Sequence, residues 1–306
     1  MRKFFMFAFV AMTSAMSYAQ EQLPNSDFEE WESVAYSGRT GEEPVKWSSF
    51  LDGTGTLKSM AGYSQLKKST DVPEKSKGQY SAVINARAVK MGMITLATAQ
   101  GNLTNGCVNM GSTTATDASG NYNYINYERE DQAMKFSSRP DSLVVWMKGS
   151  CQYGASIAAH LVTEGYFQDP VSEKNPATAT KVGSATKAIA VTNEWTRYSI
   201  PFAYEEGVEV NPEYILITFA SSATPGKATQ NDILYIDDLE MVYNSKVIKG
   251  DADGDGKVTI TDANMVVNKF LGQEVTGLNE EGADADGDGQ ITIADANVIV
   301  NIFLSE

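Results

Sequence analysis

The sequence predicts a mainly β protein, in which an antiparallel β-sandwich of jelly-roll type precedes a small α-helical domain. Three observations support this prediction. Between positions 20 and 244 no helical periodicity persists over twelve residues, and short alternating runs are separated by turn-forming residues. Helical spacing appears twice in residues 250–306, and an acidic motif precedes it each time. We therefore expect two domains, joined by a linker at 245–249.

The first 19 residues have the features of a secretory signal peptide. Arg2 and Lys3 precede an apolar run, and Ser17 and Ala19 stand at the spacing that a signal peptidase recognises. The run is too short to span a bilayer. We expect cleavage after about Ala19 and an exported protein without a transmembrane segment, either free or held at a cell surface through its partner.

Four runs in the second half of the first domain alternate apolar and polar residues. They are SLVVWMKG at 142–149, WTRYSIPF at 195–202, YILITFA at 214–220 and LYIDDLEMVY at 234–243. Gly-, Asn- and Pro-bearing turns lie between such runs. Many short strands with turns between them predict two packed antiparallel sheets, so we assign residues 20–244 to a jelly-roll sandwich.

Two acidic stretches near the C-terminus repeat each other. Residues 251–271 and 284–304 share 15 of 21 positions at an offset of 33. Aspartate occupies loop positions 1, 3, 5 and 12, and glycine position 6, which is the spacing of a helix–loop–helix calcium site with Asp replacing the final Glu. The first predicted ligand set is Asp251, Asp253, Asp255, the Lys257 carbonyl and Asp262. The second is Asp284, Asp286, Asp288, the Gln290 carbonyl and Asp295.

A helix is predicted after each loop. The apolar residues at helical spacing are Ala263, Val266, Val267, Phe270 and Leu271, then Ala296, Ile299, Val300, Phe303 and Leu304. The segments in front of the loops are too short to form good helices. Each repeat is therefore a loop with its exiting helix.

Residues 250–306 resemble the dockerin domain. The resemblance implies a fold held by two calcium ions that docks onto a cohesin domain of another protein. In the family, loop positions 10 and 11 help to select the partner, and these are Ile260, Thr261, Ile293 and Ala294 here. The alternative is a calcium site that only stabilises a small tail.

The region in front has a second resemblance, carried by LPNSDFEEWE at 23–32, PVKW at 44–47, LATAQGNLTNG at 96–106, FSSRPDSLVVWMKG at 136–149 and LYIDDLEMVY. These segments resemble the carbohydrate metabolism domain (PCMD), which is similar to carbohydrate-binding jelly rolls. In similar jelly rolls, acids of the first strand and of an Asp-Asp pair in the last strand hold a structural calcium. The resemblance implies Asp27 or Glu29 with Asp238 for a third ion; the alternative is solvated carboxylates.

The stretch GNYNYINYE at 120–128 offers candidate glycan contacts. Aromatic faces pack against sugar C–H groups, and amides bond sugar hydroxyls. In an extended chain Tyr122 and Tyr124 share one side, Asn121 and Asn123 alternate with them, and Tyr127 extends the set. The same pattern also fits tyrosines that merely cover the sandwich.

Composition narrows the function classes. Residues 250–306 contribute -10 of the formal net charge of -15, which disfavours nucleic acid as a partner. G-x-S-x-G, H-E-x-x-H and P-loop motifs are absent, and acids such as Glu128 and Asp131 have no evident pairing. We therefore designate no catalytic residue. The two cysteines, Cys107 and Cys151, could pair in an exported protein or remain free.

The sequence thus favours a secreted, non-catalytic, carbohydrate-associated module that a calcium-dependent dockerin attaches to a cohesin-bearing partner, in polysaccharide binding or breakdown. Its expected partners are a cohesin protein and a polysaccharide or cell-surface glycan. One alternative is a glycoside hydrolase or other polysaccharide-degrading enzyme carried by the dockerin. A second is a structural or adhesin module that binds protein alone.

Overall fold

A computed structural model describes residues 20–36, 39–58, 65–243 and 248–305. The described residues up to Tyr243 form one compact unit, and those from Ile248 onward form another. The predicted signal peptide lies outside the described residues, as do positions 245–247 of the predicted linker. Within the described ranges, no helix combines the length and apolar character needed to cross a membrane.

Two five-stranded antiparallel sheets form the body of the first unit. The first sheet has the order β14–β10–β17–β4–β3, and its strands span Thr196–Pro201, Ser142–Ser150, Ile233–Val242, Ser81–Asn85 and Leu66–Ser69. The second has the order β15–β13–β11–β16–β7, and its strands span Ala203–Tyr204, Lys181–Ile189, Ala155–Val162, Tyr214–Ala220 and Asn102–Thr104. Neighbouring strands are mostly distant in sequence, as in a jelly roll.

The core lies between these sheets because each strand directs alternate side chains inward. Leu143 and Met147 of β10 and Leu161 of β11 are fully buried. The rings of Phe28, Trp47 and Phe219 pack in the same core, with the Trp47 centroid 5.2 Å from that of Phe28 and 6.3 Å from that of Phe219.

Among the described residues of the first unit there are also three smaller sheets and a 3₁₀ turn. The hairpins are β1–β2 (Trp31–Tyr36, Arg39–Pro44) and β5–β6 (Arg87–Met91, Ile94–Ala99); the 3₁₀ turn is Phe50–Asp52. A three-stranded sheet has the order β12–β9–β8 (Gln168–Asp169, Asn121–Tyr124, Cys107–Met110). Near these strands Ile125 and Phe167 pack on Val162 and Leu216, the outward residues of β11 and β16. Part of the second sheet is thus buried on both faces.

Residues 248–305 of the second unit form two main helices, α1 (Ile260–Phe270) and α3 (Ile293–Ser305), and the four-residue α2 (Glu280–Ala283). Its core is small and built mainly from alanine, valine and isoleucine: Ala252, Val258, Ala263, Val266, Ala283, Ala285, Ala296 and Ile299. The segment predicted to be too short for a helix before the first loop lies largely outside the described residues, and the segment before the second loop forms only the four-residue α2.

The fold class is confirmed: the protein is mainly β, with an antiparallel sandwich followed by a small helical part. The four alternating runs correspond to β10, β14, β16 and β17. Both cysteines are free thiols, Cys107 being buried and Cys151 partly so.

Candidate calcium and ligand-binding sites

The acids predicted to hold a third calcium lie near a buried aspartate of the last strand. Asp237 is fully buried; its Oδ1 accepts from the Asp238 backbone N–H at 2.8 Å, and its Oδ2 has no hydrogen-bond partner among described groups. Burial first, then the charge of Asp238 and those of Glu29 and Asp27, raises the pKa of Asp237 to about 8. The sequence prediction named Asp238 from the Asp-Asp pair and missed its neighbour.

These sandwich acids are less tightly gathered than a preformed cation site requires. Glu29 Oε1 already accepts from the backbone N–H groups of Gln79 and Tyr80, both at 2.7 Å. Among the described residues, only two groups bring three carboxylates within 4.8 Å of one another, and both belong to the second unit. Asp27, Glu29 and Asp238 therefore lie near one another without forming a compact ligand set.

The candidate glycan contacts separate into two places. The Tyr122 and Tyr124 rings lie on the same side of β9, with centroids 5.7 Å apart. Tyr127 is elsewhere: its hydroxyl donates to the Gly165 carbonyl at 2.8 Å, and its ring packs edge-on against Tyr214. The predicted set is thus not one surface.

Asn121, Tyr122 and Asn123 line a cavity of about 150 Å³. The Asn121 amide is fully used within the protein: its Oδ1 accepts from the Ser112 N–H, and its Nδ2 donates to the carbonyls of Ser112 and Thr114. Asn123 is 7% exposed, and its Oδ1 has no partner within the described structure. Of the predicted polar contacts, Asn123 therefore retains an unused acceptor.

A separate polar cleft of about 240 Å³ contains a glutamate that the sequence prediction missed. Glu43 is 2% exposed, and its Oε1 accepts from the Ser49 hydroxyl and, at 2.9 Å, from the Ser49 N–H. Burial raises its pKa to about 7, with Asp52 adding to the shift while Ser49 and Arg129 oppose it. Arg129 Nη1 pairs with Asp52 at 2.6 Å. The proximity of Glu43 to the Asp52–Arg129 pair could not be predicted from a local sequence pattern, because Arg129 is distant from Glu43 along the chain.

In the first loop of the second unit, Asp251, Asp253 and Asp255 offer carboxylate oxygens within 4.8 Å of one another. The loop stays curled because the Asp251 carboxylate accepts from the N–H groups of Asp255 at 3.1 Å and Gly256 at 2.9 Å. Gly256 has φ +86°, which a residue with a Cβ rarely adopts. The sequence thus turns alternate acids toward one point.

Asp262 closes this loop from the start of α1. Its Oδ1 accepts from the Ala252 N–H at 2.8 Å and the Asp253 N–H at 3.0 Å, and its Oδ2 accepts from the Thr259 N–H at 2.7 Å. Thr259 is the N-cap, and Asp262 is the N3 member of its capping box. One carboxylate therefore ties the loop to the helix.

The second loop repeats this arrangement. Asp284, Asp286 and Asp295 bring their oxygens within 4.8 Å. Asp284 accepts from the N–H groups of Gly287 and Gly289, both at 2.9 Å. Asp295 accepts from the N–H groups of Asp286 at 3.0 Å and Thr292 at 2.7 Å.

Charge clustering in these loops suits a hard cation. Burial, then neighbouring carboxylates, raises the pKa of Asp253. Burial acts against ionisation of Asp295 as well, but the N–H donors of Asp286 and Thr292 lower its pKa. An all-oxygen set on a tightly turned loop is the donor chemistry of calcium sites. The residues present therefore fit calcium.

Comparison with known families decides the class of the second unit. Residues 249–304 match the dockerin type I domain. Dockerin domains bind calcium, and the two carboxylate clusters are consistent with this property. No curated protein matches the chain.

The β-rich region is similar to solved carbohydrate-binding and glycoside-hydrolase-like structures. A candidate glycoside hydrolase from Bacteroides thetaiotaomicron is 18% identical, with TM-score 0.48 over 72% of this chain and 71% of that chain. The family 11 carbohydrate-binding module from Clostridium thermocellum, in complex with a β-1,3-1,4-mixed-linked tetrasaccharide, is 11% identical, with TM-score 0.30 over 72% and 95%. TmCBM61 in complex with β-1,4-galactotriose is 11% identical, with TM-score 0.31 over 72% and 92%.

The dockerin-like domain leaves apolar side chains exposed in matching pairs. At loop position 10, Ile260 is 52% exposed and Ile293 46%; Thr261 and Ala294 beside them are also exposed. Phe270, Leu271, Phe303 and Leu304, which the sequence shows at helical spacing, are exposed as well. The core fills with residues from the first turns, which leaves these ends uncovered.

Proposed function

We propose that this chain is a secreted, non-catalytic two-module protein. Its dockerin-like domain docks in a calcium-dependent manner onto a cohesin-bearing partner, and its sandwich engages a polysaccharide or cell-surface glycan. The match of residues 249–304 to the dockerin type I domain carries this proposal, together with the carboxylate clusters in both loops.

In this proposal the loop residues hold two calcium ions. Asp251, Asp253, Asp255, Asp262 and the Lys257 carbonyl hold the first; Asp284, Asp286, Asp288, Asp295 and the Gln290 carbonyl hold the second. When bound, calcium neutralises carboxylates that repel one another. The chain's own contribution is positional: Asp262 and Asp295 connect each loop to its helix by the hydrogen bonds described above, so a filled loop fixes where the helix begins.

The exposed pairs at loop positions 10 and 11 are the proposed cohesin contacts. Ile260→Asp together with Ile293→Asp places charge on surfaces that docking would desolvate. We expect the double variant to keep its calcium-dependent helical signal and to lose at least about tenfold in affinity for cohesin domains in a pull-down panel.

Gln273→Asp, at an exposed position beyond α1, is the matched control and should bind like the parent. A folded, calcium-loaded parent that no cohesin in the panel retains would favour the alternative in which calcium only stabilises the tail.

For the sandwich, native gels cast with polysaccharides test glycan engagement. The full chain is run in calcium through a panel of neutral and acidic polysaccharides, and each gel is then stained for polysaccharide. We expect retarded migration with the stain intact. Cohesin binding without retardation on any gel would instead support a structural or adhesin module. If Asp27, Glu29 and Asp238 hold a third ion, retardation should weaken in EDTA.

One observation favours the enzyme alternative enough to test it. The polar cleft brings Glu43, with its raised pKa, near the salt-bridged group Asp52–Arg129–Asp131. A protonated acid beside a carboxylate is the pairing that glycoside hydrolysis uses. A cleared track in the gel assay that Glu43→Gln abolishes, and that the exposed neighbour Glu42→Gln preserves, would establish catalysis in place of binding.

A further inference from the structure

The cavity beside β9 is formed by segments that are distant in the sequence. One wall comes from the β5–β6 hairpin, with Val89, and another from β8, with Val108 and Met110; Tyr122 of β9 and Asn102 of β7 also line it. Its volume of about 150 Å³ far exceeds the ~15 Å³ that one water molecule needs. It therefore has room for a small ring with several substituents.

The lining that the structure describes carries no carboxylate, ammonium, guanidinium or imidazole group. Charged residues make up 21% of this chain, yet the described lining residues include no Asp, Glu, Lys, Arg or His. Charged ligands are normally met by opposite charge, because an unpaired charge is costly to desolvate. A carboxylate pair for glycosidic cleavage is likewise missing from this lining. The cavity thus suits a neutral ligand and binding without bond cleavage.

Two lining side chains have unused hydrogen-bond acceptors. Asn102 is 4% exposed and Asn123 7%. The Oδ1 atom of each is buried and accepts no hydrogen bond from the protein groups that the structure describes. A buried polar atom without a partner costs on the order of 1–3 kcal/mol. Less than 1 Å² of each oxygen is accessible, so a ligand that donates hydroxyl groups would recover part of this cost once the side chain turns toward the cavity.

We propose that this cavity binds one neutral sugar unit of a glycan, and that the Asn102 and Asn123 side chains turn on binding so that their Oδ1 atoms accept hydrogen bonds from its hydroxyl groups. The apolar walls, with Val89, Val108 and Met110, pack against the C–H faces of the ring. This proposal rests on the proposed glycan engagement of the sandwich and assigns it a site and a ligand class.

The double variant Asn102→Leu/Asn123→Leu tests the site on the full chain in calcium. Leucine approximates the shape of asparagine while removing the unpaired acceptors, so we expect unchanged or higher thermal stability. At the same time, affinity for the neutral polysaccharides that retard the parent should fall at least tenfold by affinity electrophoresis.

Gln65→Leu is the matched control. Gln65 is also a buried amide with an unpartnered oxygen, but it does not line the cavity, and its Nε2 donates to the Ala99 carbonyl at 3.2 Å. We expect it to lower stability through loss of that bond and to leave glycan affinity within about twofold. The double variant should lose glycan affinity without losing stability, and Gln65→Leu should lose stability without losing glycan affinity. This contrast would distinguish loss of the binding site from a general weakening of the fold.

The outcomes distinguish this inference from the broader proposal. If the parent binds neutral glycans and the double variant binds them equally well, the assigned site is wrong while glycan engagement stands. Retardation by acidic polysaccharides alone would overturn the neutral ligand class. If no gel retards the parent, the glycan part of the proposed function fails, and this inference fails with it.

Discussion

Removal of calcium should abolish the helical circular-dichroism signal of the protein and leave its tryptophan fluorescence unchanged. Each loop concentrates four aspartates, and like charges about 4 Å apart repel by ~1 kcal/mol per pair even in water. The domain they fold has a small core rich in alanine and valine, which cannot offset that repulsion without a cation.

Two probes report on the two units separately. Among described residues, α-helix occurs only from position 260 onward, so ellipticity near 222 nm follows the dockerin-like domain. All four tryptophans, Trp31, Trp47, Trp146 and Trp195, belong to the first unit. Titration with EDTA should therefore cause a large loss of ellipticity with little change in fluorescence, and added calcium should reverse it.

Substitutions in the two loops test whether calcium acts there to fold the helical domain. Asp251→Ala and Asp284→Ala each remove a position-1 carboxylate and should raise the calcium concentration needed for folding at least tenfold. Glu274→Gln, an exposed acid outside both loops, is the charge-matched control and should titrate like the parent. Full ellipticity of the parent in excess EDTA would contradict a calcium-dependent fold.

Features that depend on local spacing could be predicted from the sequence. The β14 and β17 runs largely alternate, the β10 and β16 runs contain continuous apolar stretches, and the loop aspartates recur at fixed offsets, so each can be recognised within about ten residues. Phe270 and Phe303 share the helical spacing of the core residues but are exposed. Helical spacing identifies an apolar stripe, but not how far along it a partner helix packs.

Sites assembled from distant segments could not be predicted. Asn102 of β7 and Asn123 of β9 line one cavity although the two strands belong to different sheets. The Asn121 amide, which looks equivalent to Asn123 in the sequence, is used up by the loop at 112–114. Only three-dimensional hydrogen-bond partners distinguish an anchoring amide from a free acceptor.

Glu43 should make the sandwich less stable as pH rises from about 4.5 to 7. Its pKa is about 7 in the folded protein and 4.5 in its ordinary state, so folding favours the protonated form. The resulting stabilisation is complete below pH 4.5 and is lost as pH rises through about 7. Each unit of pKa difference corresponds to 1.36 kcal/mol, so the loss is about 3 kcal/mol.

Glu43→Gln keeps a neutral side chain of similar shape at every pH and should remove this loss. The measurement is urea unfolding followed by tryptophan fluorescence at several pH values in calcium, with the free energy of unfolding of parent and variant compared at each pH. Other carboxylates titrate equally in both proteins, so the difference isolates Glu43. Glu42→Gln, on the same strand but exposed, is the control, and its free energy of unfolding should change with pH as that of the parent does. If the free energy of Glu43→Gln also followed the parent at every pH, Glu43 would be ionised in the folded cleft and could not act as its acid.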